Sequence, residues 1–158
     1  MNAAEIMTRD VATVLPTATL TEVARTMATK SVRGLPVCEQ DGTLIGIIAA
    51  CDLIRLPARG HDQRHDGWLH HLVDRKHFGE EFFHPINGGE IYARDQMRAD
   101  VVTATETTPV EEIVDLMMTR DINRVPIVRD GKLIGVVTRA DLAKMAMAPL
   151  GVPLRPVA

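Results

Sequence analysis

The chain is short of the groups that most often announce a chemistry. It has two cysteines, one tryptophan, one tyrosine and three phenylalanines in 158 residues. Cys38 and Cys51 form no Cys-x-x-Cys pair, so no disulfide framework is expected and a reducing cytoplasm fits. Both thiols are expected to be buried and structural. Cys51 falls where a helix should start, the one setting here that could activate a thiol. No apolar run approaches the ~20 residues needed to span a bilayer. Residues 1–7 show no basic stretch followed by an apolar one, so no signal peptide is expected. Positive charge is not in excess either: the net charge is −3, and the aromatics sit beside acidic residues rather than in a basic stripe. Nucleic acid and membrane surfaces are therefore not expected partners. No Ser/His/Asp or Cys/His arrangement is tied to a motif, and there is no Walker loop or metal-hydrolase pattern. An enzyme is not expected.

What the chain does have is one pattern written twice. Met7, Asp10-Val11, Leu35-Pro36-Val37, Asp41-Gly42, Leu44-Ile45-Gly46-Ile47-Ile48 and Asp52-Leu53 recur about 90 positions later. The second copy is Met97, Asp100-Val101, Val125-Pro126-Ile127, Asp130-Gly131, Leu133-Ile134-Gly135-Val136-Val137 and Asp141-Leu142. Duplication on this scale implies two small units sharing a core, with a cleft between them as the place for function. Leu20, Val23, Ala24 and Met27 follow helical spacing, as do Val110, Ile113, Val114 and Met117. Thr19 or Thr21 can cap the first helix, and Pro109 suits the first turn of the second. Asp-Gly between two apolar runs predicts a hairpin in each copy. The nearly unbroken apolar second strands suggest cover on both faces. Short strands are expected over 11–14 and 101–103, and a second helix from about Cys51 and from about Arg139. Each unit thus reads β-α-β-β-α after a short helix carrying Met7 or Met97.

These residues resemble the cystathionine-β-synthase (CBS) domain, and two copies resemble a CBS pair, or Bateman module. The resemblance implies an α/β (α+β) fold, two repeats packed with pseudo-two-fold symmetry. The expected domains are 1–57 and 91–148, a connector over 58–90, and an irregular tail over 149–158. CBS pairs commonly bind adenine nucleotides or related adenosyl compounds, through a Gly-h-h-Thr/Ser-x-x-Asp motif (h, apolar) whose hydroxyl and carboxylate meet the ribose. Gly135-Val136-Val137-Thr138-Arg139-Ala140-Asp141 matches in full. An ionised carboxylate is a strong acceptor for ribose hydroxyls. Thr-x-x-Asp at a helix start also forms an N-capping box, and the two roles can coexist.

In the first repeat, Gly46-Ile47-Ile48-Ala49-Ala50-Cys51-Asp52 keeps the aspartate but has alanine for threonine. One lost hydrogen bond is worth about 1 kcal/mol, roughly fivefold in affinity. Two unequal sites are therefore expected. By resemblance the stronger holds Thr138, Asp141 and Arg139 with Val102, Thr103, Asn123, Arg124, Val125 and Pro126. The weaker holds Asp52 with Thr13, Arg33, Leu35 and Pro36. Arg33, Arg124 and Arg139 suit phosphate, because guanidinium forks match its oxygens.

The connector carries all six histidines and a cluster of aromatics, with a short helix expected around Trp68. His61 and His65 have the i, i+4 spacing of metal ligands, but Gly60 and Gly67 flank them. An aromatic-packed insertion is the expected reading, with a metal- or pH-responsive lid as alternatives. The function expected is that of a cytoplasmic regulatory module with an adenine nucleotide as ligand and no required cofactor. It would act as a homodimer through the helices after each motif, on an unidentified protein target. The alternative is a ligand-free dimerisation scaffold.

Overall fold

Each repeat builds its core on one amphipathic helix. Thr19 caps α2 (Leu20–Lys30): its hydroxyl accepts from the Glu22 N–H at 3.2 Å, and Glu22 accepts from the Thr19 N–H at 2.7 Å. Leu20, Val23 and Met27 are buried on one face. Its counterpart α5 (Val110–Thr119) buries Val110, Ile113 and Met117. Pro109 is the N-cap of α5, one position before the expected first turn. Val114, expected in this apolar stripe, faces solvent. The computed structural model describes residues 1–54 and 91–147; the expected connector helix, the connector's histidines and the C-terminal tail lie outside them.

Each helix leads into an antiparallel hairpin. β1 (Gly34–Cys38) pairs with β2 (Leu44–Ala49), and β3 (Arg124–Arg129) pairs with β4 (Lys132–Thr138). In the second hairpin, Asp130 and Gly131 form a two-residue turn with φ of 51° and 76°. Two positive φ values are what a type I′ turn requires, so Gly131 has a backbone reason. The first turn is one residue longer. Asp41 accepts there from the Thr43 N–H at 3.0 Å and the Thr43 hydroxyl at 2.9 Å, which hold its carboxyl below the usual carboxylate range. The expected strand over 11–14 shrinks to a single parallel bridge, Val14 to Val37, and that over 101–103 does not form, its place taken by a bridge one residue later, Ala104 to Ile127.

The short helices do not pack where the order of the repeat suggests. After α1 (Ala3–Ile6), Met7 is buried in the second core, beside Ile113, Met117 and Val137. After α4 (Ala93–Gln96), Met97 packs against the first core, around Val23, Leu35 and Ile48. Backbone pairs fasten each crossing. Thr8 and Val136 exchange hydrogen bonds of 2.9 and 3.0 Å, and Arg98 and Ile47 exchange 2.8 and 3.0 Å. The repeated glycines make room for this. A Cβ on Gly46 would lie 2.5 Å from Met97 Sδ and 3.1 Å from the Arg98 carbonyl oxygen. On Gly135 it would lie 2.5 Å from Met7 Sδ and 3.1 Å from the Thr8 carbonyl oxygen.

The hairpin turns also meet. The Leu44 N–H donates to the Gly131 carbonyl and the Leu133 N–H to the Gly42 carbonyl, both at 3.0 Å. The two repeats are thus joined through backbone as well as side chains. The second strands are not covered on both faces as expected. In β2 only Gly46 and Ile48 are fully buried, and Ile47 and Ala49 are half-open. That half-open face is a wall of the candidate site.

Candidate functional site

The hairpins turn directly into α3 (Ala50–Ile54) and α6 (Arg139–Met147), so each motif aspartate sits in the first turn of a helix. Backbone bonds fix both junctions: the Ala50 N–H donates to the Arg33 carbonyl at 3.0 Å, and the Arg139 N–H to the Asn123 carbonyl at 3.1 Å. Each aspartate accepts from the last strand residue, Asp52 Oδ2 from the Ala49 N–H at 2.8 Å and Asp141 Oδ2 from the Thr138 N–H at 2.9 Å.

Beyond that bond the motifs diverge. The Thr138 hydroxyl donates to Asp141 Oδ2 at 2.6 Å and accepts from the Asp141 N–H at 3.3 Å. The pair is a closed capping box. Lys144 Nζ lies 3.9 Å from Asp141 Oδ1. Ala49 offers Asp52 no hydroxyl. Instead Arg98 Nη2, from the crossing segment of the other repeat, lies 3.2 Å from Asp52 Oδ1. The Asp52 side chain is only 5% exposed, while Arg98 is 60% exposed.

A cavity of about 700 Å³ opens beside Asp52, within the range of small-molecule sites. The first repeat lines it with Arg33, Ile47, Ala49, Ala50, Cys51 and Asp52. The second supplies Arg98, Asp100, Val101 and Val102, then Asp121 to Arg124, and Thr138 to Ala140. The residues that meet at the cavity thus come crosswise from both repeats. Arg124 marks the crossing most clearly. Its Nη1 donates to the Gly34 carbonyl at 2.7 Å, and a Cβ on Gly34 would lie 2.7 Å from its Cζ. Burial pushes the Arg124 pKa down from the usual arginine value. Arg139 Nη2 lies 3.6 Å from Asp121 Oδ1 at an exposed edge.

The residues singled out in the sequence divide among several places. Thr138, Arg139, Val102, Asn123, Arg124, Asp52 and Arg33 share the large cavity. Asp141 does not line it. Thr13 lines a separate hollow of about 350 Å³, with Arg9, Val11 and Leu133 to Gly135. Thr103 is exposed and lines neither. Val125, Pro126, Leu35 and Pro36 are buried in the two cores. Sequence reasoning passed over Arg98. The available signal was a cation after Met97 where the first repeat has Thr8 after Met7. Of the two thiols expected to be buried, one is and one is not. Cys38 is buried and burial pushes its thiol pKa up, whereas Cys51 is exposed, because α3 turns its first residues toward the cavity. His61 and His65 lie outside the described residues. Among the described residues, no three His, Cys, Asp or Glu side chains are placed to hold a metal, and no helix is long and apolar enough to cross a membrane.

The model of the CBS domain matches residues 3–59 and again residues 89–148. The chain belongs to the CBS domain family. The two matches make it a tandem CBS pair, an α+β fold with small antiparallel sheets. An uncharacterised protein of Methanopyrus kandleri is 32% identical over 147 residues, covering 92% of this chain and 62% of that protein. Inosine-5′-monophosphate dehydrogenase of Methanocaldococcus jannaschii is 30% identical over 148 residues, 93% of this chain but 24% of that enzyme. The chain therefore spans less than two thirds of these curated relatives. The matching model describes a domain and indicates no catalytic family. Among solved structures, the Arabidopsis thaliana protein CBSX2 in complex with AMP superposes with a TM-score of 0.70, at 24% identity and 94% and 98% coverage. The CBS pair of protein MJ0100, in complex with 5′-methylthioadenosine and S-adenosyl-L-methionine, gives 0.67 at 21% identity, covering 94% and 98%. At these identities the likeness is one of fold.

Proposed function

We propose that this CBS pair is a regulatory module whose 700 Å³ cavity takes an adenosine-bearing ligand such as AMP, ADP or ATP. The observation that carries the reading is the buried Asp52 carboxylate on a cavity walled by both repeats. A ribose diol donates to such a carboxylate, and the bonds are charge-assisted. Val101, Val102 and Ile47 offer apolar surface to a base. Arg33, Arg98 and Arg139 offer cations to phosphates. That CBSX2 was solved with AMP, and the MJ0100 pair with adenosyl compounds, supports the ligand class. Because both repeats line the cavity, a ligand would draw on both and bias their packing, which is how binding becomes a signal.

The complete Thr138–Asp141 pair favours a second reading. There the ribose meets Asp141, once the capping box opens, and Asp52 is the weaker partner. Helix α6 has no buried residue, and Leu142, Met145 and Met147 stay half-exposed on it. A second copy of the chain packed there would make a homodimer with an adaptable apolar contact. Free thiols, one of them exposed, suit the reducing cytoplasm.

Mass spectrometry of small molecules released from the purified native protein should find an adenine nucleotide. A thermal-shift screen with AMP, ADP, ATP, NAD and S-adenosylmethionine should raise Tm for at least one, because a ligand that binds only the folded state stabilises it. No released nucleotide and no shift at millimolar concentration would leave the scaffold reading instead.

A further inference from the structure

We infer that the Arg98–Asp52 ion pair makes this cavity selective for phosphorylated nucleosides over uncharged adenosine compounds. The inference rests on the ligand reading above and names the ligand class more narrowly. Three observations converge on Arg98. It occupies Asp52 Oδ1 from across the repeat boundary, at 3.2 Å. It is 60% exposed at a carboxylate that is 5% exposed, so the arginine is the partner free to swing. Its counterpart in the first repeat is Thr8, which carries no charge, and the cation beside Asp141 is Lys144 of the same helix, at 3.9 Å.

The exchange follows from charge. A ribose that takes Asp52 Oδ1 must displace the guanidinium. An uncharged nucleoside gives the displaced cation nothing in return and leaves a nearly buried carboxylate without its counter-charge. Losing a partner from such a pair is costly. A nucleotide brings its own anion: as the ribose displaces Arg98 from Asp52, a 5′ phosphate offers the same guanidinium a matching fork of oxygens. The cavity edge is suited to receive it, with Arg33 and Arg139 also lining the wall. Arg98 therefore acts as a specificity-determining residue, opposing one ligand class and assisting the other.

The test compares AMP and adenosine by isothermal titration calorimetry on the full chain, in the parent protein and in Arg98→Gln. Glutamine keeps a donor for Asp52 and removes the charge. The parent should prefer AMP by about 30-fold or more, and Arg98→Gln should shrink that preference about tenfold, weakening AMP and strengthening adenosine. Arg139→Gln should weaken AMP without strengthening adenosine. Arg98→Lys, which keeps a charge but not the fork, should fall between and covers the case in which Arg98→Gln fails to fold. An unchanged preference in the Arg98 variants, or adenosine weakening together with AMP, overturns the selectivity. A parent protein that binds neither ligand overturns the ligand reading itself, and the selectivity with it.

Discussion

At the start of α6 the Asp141 carboxylate finds its partners within its own turn: the N–H and hydroxyl of Thr138, with Lys144 at the rim. At the start of α3 the Asp52 carboxylate accepts from the Ala49 N–H, from the Cys51 thiol at 4.0 Å and, 46 residues away, from Arg98. The backbones match, but one aspartate is closed on itself and the other is held by a residue that can leave. Alanine in place of threonine opens that difference, because a buried carboxylate without the local hydroxyl has an oxygen left for another donor, here Arg98. In a duplicated fold the copy that departs from the shared motif can therefore be the one whose aspartate meets the cavity.

The largest expected effect tests what the halves share. Gly46→Val and Gly135→Val should each destabilise the protein by about 3 kcal/mol in urea unfolding, since each drives a side chain into a crossing methionine and a backbone carbonyl. Equal losses support symmetric crossing. A loss at only one site would break the comparison at its base. The next effect separates the halves. Thr138→Ala should cost about 1 kcal/mol by undoing the capping box, while Ala49→Thr should change stability by less, with Arg98 already in place. A Thr138→Ala variant as stable as the parent would mean that the closed pair contributes nothing. The smallest effect concerns the thiols. Cys51 should react with a thiol reagent much faster than Cys38, whose thiol is buried and raised in pKa. Saturating AMP should then slow Cys51 about threefold, a size set by partial occlusion of an exposed group. Labelling of Cys51 that ignores AMP would place the ligand elsewhere.

Local structure was legible where one stretch of sequence decides it. The Thr19 cap, the helices under Leu20 and Ile113, and the Asp130-Gly131 turn each follow from a few neighbouring residues. The tandem pair was legible because its glycines and aspartates recur in step. The crossing was not. A repeat pattern shows that Met7 and Met97 are equivalent, but equivalence is the same whether each packs on its own unit or on the other. The content of the cavity was hidden for the same reason. The resemblance groups Val102, Asn123 and Arg124 with Asp141, yet they line a cavity with Asp52. Arg98 could be recognised as a partner only once the Ile47–Arg98 backbone pair had carried it across. A complete motif makes its hydrogen bonds locally, and at Asp141 those bonds close on Thr138.

The most direct test of the account is calorimetry of AMP binding to Asp52→Ala and Asp141→Ala, with thermal unfolding as a control for folding. If the ligand sits in the crosswise cavity, Asp52→Ala should lose about tenfold or more in affinity, and Asp141→Ala should bind nearly as the parent does while melting lower. Loss of binding in Asp141→Ala with Asp52→Ala unaffected would contradict the account and return the site to the complete motif.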